Sequence, residues 1–340
     1  MLLFCDSFDH YTDLGTKYDY TNGSSFIVSG QSRTGSQCLF ISAYAYGPAK
    51  NIKQTTDCLV ATCWKCGAAG GALQLGCFGA ADLTTFTQGG VVILNVNADG
   101  SISVTGGISR ASQLFGTSAP GLVRFGIYNS LAIRTTVGAA ARTRVWVNGV
   151  LALDLNGYDN RNLNNTGLNY INSFMPMAPP GSVFQNCYHD DLYVLDCTTA
   201  PNNAFLGPLR IYAGVPDGDG TVQWTPSAGT SNFPNVDTIP PNPATYNSSP
   251  TSGHVDQYIH PLPAGIPGNS QIFGLQHCQC LEVDSGALGV TSDIDGVKSP
   301  SGVALTTGYA IYAWPYDVNP ATTNPWTAAD FPLLAGPAVV

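Results

Sequence analysis

The chain carries ten cysteines, an unusual number for a protein whose thiols stay reduced in the cytosol. They are Cys5, Cys38, Cys58, Cys63, Cys66, Cys77, Cys187, Cys197, Cys278 and Cys280. In a particle that matures after release from the cell, these thiols could be oxidised later. The sequence therefore predicts structural thiols or disulfides at these ten positions, and it leaves the pairing open.

Cys63 and Cys66 have the C-x-x-C spacing that is typical of redox and zinc sites. A thioredoxin-like site needs this motif at the start of a helix, whereas a glycine-rich stretch follows it here. A zinc site needs a second pair of ligands, and Cys58, Cys77 or the cluster at residues 277–280 could supply one only if folding brings them close. Structural thiols or disulfides are the preferred interpretation, ahead of zinc and then of redox catalysis.

No arrangement of acidic or nucleophilic residues matches a hydrolase. Glycosidases use two carboxylates, about 5 Å apart in retaining enzymes, but Glu282 is the only glutamate in the chain. Asp190 and Asp191 are adjacent, so a strand would direct their side chains to opposite faces. No G-x-S-x-G motif is present, and the five histidines stand in unrelated contexts. The sequence thus predicts a protein that is not an enzyme and has no catalytic residues.

Two turn sequences could offer oxygen ligands to calcium. Asp217 and Asp219 lie in the first, and Asp293 and Asp295 lie in the second. Neither contains the glutamate that ends an EF-hand loop, and Asp-Gly pairs are above all turn formers. We therefore predict no metal ion and no other cofactor.

The elements that would position these residues are strands. The chain has 38 glycines and 23 prolines, which favour short strands and tight turns over helices. Apolar residues alternate with polar ones along many segments, as in a sheet buried on one side. The turn Asn148-Gly149 sets the register of one hairpin, so that Val145 and Val147 share a face and Trp146 takes the other. The fold class predicted is all-β.

The domain organisation follows from the same patterns. The apolar runs at residues 2–11 and 188–196 are expected to pair and to close a two-sheet jelly-roll sandwich over residues 1–197. Residues 198–264 are rich in proline and glycine, which predicts an extended arm. Strand patterns resume after it and predict a smaller C-terminal β domain over residues 265–340.

Charge narrows the range of partners. Only 10% of the residues are charged and the net charge is -9, which argues against nucleic acid because phosphate binding needs clustered Lys and Arg. No stretch approaches the roughly 20 apolar residues of a membrane span. The N-terminus lacks the basic region and cleavage site of a signal peptide. A surface so poor in charge fits subunit interfaces, or equally a neutral polar surface on a rigid β protein.

Several segments carry a resemblance to a known family. They read FCDSFDHY, RVWVNGVLAL, DDLYVLDCTTAPNNAFLGPLRI, GDGTVQWTPSAG, HVDQY, NPA and PWT. In this order, and over nearly the whole chain, they resemble virion structural proteins of tailed bacteriophages. The resemblance implies a first domain similar to concanavalin-A-like or LamG-like jelly rolls, and it brings no catalytic residues with it.

The resemblance also implies a function. We expect a non-enzymatic structural component of a tailed-phage virion, either a capsid decoration protein or a tail or collar fibre protein. Its partners would be further copies of the chain, as a trimer, and other virion proteins, with synthesis in the host cytoplasm and final location in the virion.

The alternative is a carbohydrate-binding adhesion module that attaches the particle to host or environmental glycans. Tyr44, Tyr46, Trp64 and Tyr158 could stack on sugars if they are exposed, although isolated aromatic residues more often belong to a core.

Overall fold

A computed structural model gives the structure of the protein. It describes residues 1–21, 25–42, 47–66, 74–78 (backbone only), 91–106, 113–161, 169–177, 187–284 and 289–340. The chain divides into two compact units, the first formed by Met1–Phe8 and Asp13–Ile211, the second by Asp9–Thr12 and Tyr212–Val340. The division predicted at residues 198 and 264 stays a prediction. Within the described ranges, no helix has the length and apolar character needed to cross a membrane.

The first unit is built from antiparallel strands. In its described part these are β1 Leu2–Asp6, β2 Ser25–Ser29, β3 Gln37–Ile41, β4 Lys50–Thr55, β5 Asp57–Cys66, β6 Gln74–Phe78, β7 Val92–Val96, β8 Ile102–Gly106, β9 Leu114–Thr117, β10 Asn129–Thr136, β11 Ala141–Val147, β12 Val150–Tyr158, β13 Ile171–Met177 and β14 Cys187–Asp196. One sheet has the order β12-β11-β10-β5-β14-β3-β2, with β1 beside β14, and the other has the order β4-β13-β6-β7-β8-β9. The predicted all-β sandwich is confirmed.

The first and last strands of the sandwich are neighbours, as the sequence predicts. Leu2 of β1 lies opposite Leu195 of β14, and Cys5 lies opposite Tyr193. With this pairing β14 has partners on both sides, β5 on one and β3 and β1 on the other, so it presents no unpaired edge there.

The core lies between the two sheets. The ring of Phe4 from β1 packs against that of Phe174 from β13, with the ring centroids 5.3 Å apart. Trp64, Val145 and Val194 are fully or almost fully buried. Burial of each large apolar side chain contributes about 1.5–3 kcal/mol, so this interior stabilises the sandwich. We call the opposite face of the β5-containing sheet, turned away from the core, the outer face.

A covering segment, residues 203–211, lies on part of the outer face. The ring of Phe205 stacks on Trp146, with centroids 4.7 Å apart and planes 21° from parallel. The hydroxyl group of Tyr193 donates a hydrogen bond of 2.9 Å to the carbonyl oxygen of Gly207. Leu206, Leu209 and Ile211 also pack against apolar side chains of this face. The face is therefore a second packing surface over that part of the sheet.

The second unit is also built from strands. Its described strands are β15 Gly218–Asp219, β16 Thr225–Pro226, β17 Asn247–Ser248, β18 Tyr258–His260, β19 Leu275–Leu281, β20 Gly289–Ile294, β21 Val297–Lys298, β22 Val303–Ala304, β23 Ala310–Tyr316 and β24 Leu333–Val339. One sheet has the order β15-β18-β24-β20-β21, with β22 beside β20, and two hairpin-like pairs join β16 to β17 and β19 to β23.

Hydrogen bonds order the proline-rich part of this unit. The side-chain amide of Asn232 donates to both carboxylate oxygens of Asp256, at 2.9 and 2.8 Å, and to the carbonyl oxygen of Trp224 at 3.0 Å. Asn232 and Asp256 are both fully buried. A buried polar group that lost its partner would cost about 1–3 kcal/mol, so this network fixes the path of the chain.

Candidate functional site

Aromatic side chains from neighbouring strands line up on the outer face, beside the part that the covering segment occupies. Phe26 of β2 lies opposite Phe40 of β3, Phe40 lies opposite Tyr188 of β14, and Tyr188 lies opposite Lys65 of β5. Directly opposite residues of antiparallel strands share a face. We call these four residues, together with Tyr128 just before β10, the aromatic strip.

The members of the strip contact each other. The ring centroids of Phe26 and Phe40 are 6.4 Å apart, and those of Phe40 and Tyr188 are 5.5 Å apart. The ammonium group of Lys65 lies 5.6 Å from the ring centroid of Tyr188 and 5.7 Å from that of Tyr128, which is cation–π distance on both sides. Phe26 is 50% exposed and the other rings are partly exposed. The strip is thus an apolar, π-rich surface with one cation within it.

Gln31 fixes the polar end of the strip. Its side-chain oxygen accepts a hydrogen bond of 2.9 Å from the ammonium group of Lys65. Its backbone carbonyl accepts one of 2.6 Å from the hydroxyl group of Tyr128. The positions of the Lys65 ammonium group and of the Tyr128 hydroxyl group therefore depend on the loop that contains Gln31.

That loop is held by Asp190 and Asp191. Asp190 accepts hydrogen bonds from the backbone N–H groups of Arg33 and Thr34, at 2.6 and 2.9 Å. Asp191 accepts from the Arg33 guanidinium at 2.5 Å and from the Thr34 hydroxyl at 3.1 Å. The prediction that the two aspartates face opposite sides of a strand is wrong. The register shifts between Asp190 and Tyr193, and Asp191 has a φ of 49°, so both carboxylates reach the same loop.

Burial governs the ionisation of groups within the strip and beside it. It raises the pKa of Asp190 to about 7, with the negative charge of Asp191 adding to the effect. It raises the pKa of Cys63 to about 12. It also raises the pKa of Tyr128, so the phenol stays protonated and acts as a hydrogen-bond donor. Asp190 is completely buried, which makes it a structural support of the loop and keeps it from direct contact with a ligand.

The aromatic residues singled out from the sequence are not those of the strip. Trp64 is completely buried in the core. Tyr158 packs on Phe115, with ring centroids 4.1 Å apart, and its hydroxyl group contacts Thr143. Tyr44 and Tyr46 lie outside the described residues. Period-2 alternation gives the face of each strip residue within its own strand, but only the strand order brings them side by side.

The C-x-x-C motif does not form a joint site. Cys63 and Cys66 are three residues apart on β5, so their side chains lie on opposite faces of the sheet. Cys63 lies on the outer face near Arg33 and Asp190. Cys66 lies on the core face, opposite Cys187. Because the motif lies on a strand and not at the start of a helix, its two thiols are held on opposite faces of the sheet.

The remaining cysteines are distributed through both units. Nine of the ten have described side chains, and each of the nine carries a thiol: Cys5, Cys38, Cys58, Cys63, Cys66, Cys187, Cys197, Cys278 and Cys280. Cys77 lies in β6, and its side chain is outside the described part. Cys5 and Cys197 pack on the outer face with the covering segment, and Cys278 and Cys280 lie partly exposed on β19. The prediction of disulfides at these positions stays open.

One thiol pair is placed for oxidation, and we expect a disulfide between Cys66 and Cys187. The two residues are direct cross-strand partners, and their hydrogen bond, together with burial, raises the pKa of Cys187. Opposite Cβ atoms lie about 4.5–5.5 Å apart, close to the spacing of a disulfide. Oxidised glutathione would take up the two protons and two electrons as two thiols. Because burial disfavours the thiolate, the reaction should proceed faster in mild denaturant.

Peptide mapping by mass spectrometry measures this outcome. The 66–187 link should appear after oxidation, vanish in the variant Cys187→Ser and persist in the control Cys278→Ser. A different link, or no loss of mass, contradicts the expectation.

The described residues offer no ready metal site. They contain no group of three or more His, Cys, Asp or Glu side chains arranged to hold an ion. Two of the carboxylates considered for calcium have partners of their own. Asp219 accepts hydrogen bonds from the backbone N–H groups of Asn232 and Phe233, and Asp293 accepts one of 2.6 Å from Gln257.

No family model and no curated protein matches the sequence. Solved structures do match. An endo-β-1,4-glucuronan lyase from the fungus Trichoderma reesei is 11% identical, with a TM-score of 0.38 over 57% of this chain and 95% of that chain. The carbohydrate-binding module CBM66 from Bacillus subtilis is 9% identical, with a TM-score of 0.29 over 57% and 96%. A Bacillus subtilis protein of unknown function with a galectin-like fold is 12% identical, with a TM-score of 0.38 over 57% and 96%.

These likenesses concern the fold alone, and they agree with a concanavalin-like jelly-roll sandwich; none of the three proteins is named as a phage protein. The prediction that the protein is not an enzyme is contradicted, because polysaccharide lyases are among the matching structures. The absence of paired carboxylates bears on hydrolysis only, because a lyase cleaves by elimination.

Proposed function

We propose that the first unit binds carbohydrate along the aromatic strip. The observation that carries the proposal is the register of Phe26, Phe40 and Tyr188, which places three rings side by side on a solvent-facing surface. One face of a sugar ring presents C–H groups that pack well on an aromatic ring. Exposed apolar surface of this kind marks interaction sites more often than chance.

The dimensions of the strip suit an extended glycan. Neighbouring strands lie roughly 4.8 Å apart, a distance close to the length of one sugar ring. The strip crosses β2, β3, β14 and β5 in order, so successive rings can meet successive sugars. The hydroxyl groups of Tyr128 and Tyr188 and the ammonium group of Lys65 would supply the polar contacts that give orientation. The names of the fold relatives, which include a carbohydrate-binding module, accord with this role.

We also propose the setting in which this binding takes place. The resemblance of several segments to tailed-phage virion proteins supports a virion component, with synthesis in the host cytoplasm and oligomeric packing on the particle. In that setting the strip would attach the particle to host or environmental glycans. Electron microscopy of particles that contain this chain, with its copy number counted, tests the setting; a lone monomer with no particle would contradict it.

Glycan-array binding by the purified protein tests the strip directly. We expect Phe40→Ala and Tyr188→Ala each to weaken binding about tenfold, or about 1.4 kcal/mol, because each removes one stacking ring. Tyr246 is 47% exposed in the second unit and outside the strip, so Tyr246→Ala is the matched control. Thermal unfolding of each variant checks that the fold is intact.

Two results would contradict the proposal. One is the absence of binding to every glycan on the array, and the other is binding that the strip variants leave unchanged. The chain length of a bound glycan after incubation reports whether binding is followed by cleavage.

A further inference from the structure

We infer that the ligand of the aromatic strip is an acidic glycan, whose carboxylate or sulfate group is recognised by Lys65. The inference rests on the proposed function and adds the chemical class of the ligand to it. The juxtaposition that carries it is a fixed ammonium group with no counter-ion among the described residues, placed between two aromatic rings of a sugar-sized surface.

Lys65 differs from most basic side chains of the first unit. Six of these lie in ion pairs with aspartates: Lys17, Arg33, Lys50, Arg134, Arg142 and Arg161. Among the residues that the structure describes, no carboxylate lies within ion-pair distance of Lys65. Its direct partner is the neutral side-chain oxygen of Gln31. In a chain with a net charge of -9, the described part thus holds a positive charge outside any ion pair at this position.

The donors of Lys65 are only partly used. An ammonium group has three N–H donors, and the hydrogen bond to Gln31 uses one of them. The rings of Tyr128 and Tyr188 attract the charge through their π faces but accept no conventional hydrogen bond. Two donors thus remain for a ligand that lies on the strip.

An anionic ligand gains most from this arrangement. Hydrogen bonds between charged partners are roughly twice as strong as those between neutral ones. The side chain is already oriented by Gln31 and by the two rings, so less conformational freedom is lost when a ligand binds. Exposed negative charges of the chain that lie more than about 8 Å from the strip are largely screened at physiological salt.

Isothermal titration calorimetry of the full chain with three sets of oligosaccharides tests the inference. The probes are a polyuronate fragment, a sulfated fragment and a neutral fragment of equal length. We expect at least one acidic fragment to bind at least tenfold more tightly than the neutral one, and its affinity to fall as sodium chloride is raised. The two acidic probes distinguish a carboxylate from a sulfate ligand.

Variants of two lysines assign the effect. Lys65→Gln should bring the ratio of acidic to neutral affinity close to one, and Lys65→Arg should retain most of the preference because it keeps the charge. Lys53 is an exposed lysine of β4, so Lys53→Gln is the matched control and should keep the full preference.

Equal affinity for acidic and neutral fragments would overturn the inference, as would a preference that Lys65→Gln leaves intact. In either case the proposed function stands if binding is still lost in Phe40→Ala. Absence of binding to all three probes and to the glycan array would overturn both.

Discussion

Replacement of Asp6 by alanine is expected to destabilise the first unit by about 3–5 kcal/mol. Asp6 forms an ion pair of 3.1 Å with Lys17, and neither side chain has any exposed surface. The same carboxylate accepts hydrogen bonds from the backbone N–H of Phe8 at 2.8 Å and from the Tyr18 hydroxyl at 3.0 Å. Its removal would leave the ammonium group buried above the ring of Phe4 without its counter-ion.

A double variant separates the loss of the pair from the loss of its parts. Replacing both partners of a buried pair by apolar groups costs far less than removing one. The double variant Asp6→Ala with Lys17→Met should therefore be more stable than Asp6→Ala alone. Urea denaturation followed through tryptophan fluorescence measures the difference. Asp154→Ala removes half of the exposed pair with Arg142 and is the matched control, with a midpoint close to that of the parent protein. A midpoint for Asp6→Ala as high as that of this control would contradict the expectation.

This pair also gives a structural role to FCDSFDHY, one of the segments that resemble phage virion proteins. Asp6 lies in the run FCDSFDHY, at the end of β1, and is paired in register with Leu192 of β14. Strand β14 carries Tyr188 of the aromatic strip and the two aspartates that hold the Gln31 loop. The run near the N-terminus therefore supports the strand on which the candidate site is built.

Local patterns predicted the strands better than their partners. The hairpin at Asn148 and Gly149 forms as expected, with φ of 50° and 85°, because both positions accept positive φ. The segment before β14 is rich in Asn, Gly and Pro, a composition typical of a surface loop, yet β13 lies within it between β4 and β6. Pro176 and the neighbouring Asn and Ser residues conceal that strand from a propensity argument.

The candidate site depends on the long-range order of strands, which the sequence does not give. Phe26, Phe40 and Tyr188 are separated by up to 162 positions in the chain, as their numbers show. Each by itself is an aromatic residue on a strand, and nothing local distinguishes it from a core residue. The bulge at Asp191 was equally hidden, because a shift of register depends on the partner strand.

Acidification is expected to unfold the second unit through two buried histidines. The rings of His260 and His277 lie 6.1 Å apart, edge to face. Burial lowers the pKa of His277 to about 3, with the nearby His260 adding to the effect, and lowers the pKa of His260 to about 4. The Nε2 atom of His260 is buried without a hydrogen-bond partner, and the Nδ1 atom of His277 lies 2.7 Å from the hydroxyl oxygen of Ser292. In both environments burial opposes the charged form of the ring.

The sign of the effect follows from the two states. In the unfolded chain histidine has a pKa of about 6.5. Below this pH the two histidines therefore bind protons in the unfolded state but stay neutral in the folded state. The stabilisation is complete above pH 6.5 and is lost as the pH falls toward 4. At pH 4.5 each histidine costs about 2–3 kcal/mol of stability, at about 1.4 kcal/mol per pH unit. The raised pKa of buried Asp256 acts in the opposite direction and offsets part of this loss.

Hydrogen–deuterium exchange of peptides from β19 and β23, followed from pH 7.5 to 4.5 with the intrinsic exchange rate corrected, measures the loss. His260→Gln should flatten the dependence of protection on pH, because one of the two histidines whose pKa burial lowers in the folded unit is gone. His254 is partly exposed and bonded to Ser249, so His254→Gln is the matched control and should keep the slope of the parent protein. Protection that stays constant down to pH 4.5 would contradict the prediction, because it would mean that the two histidines are protonated in the folded unit and are accessible to solvent.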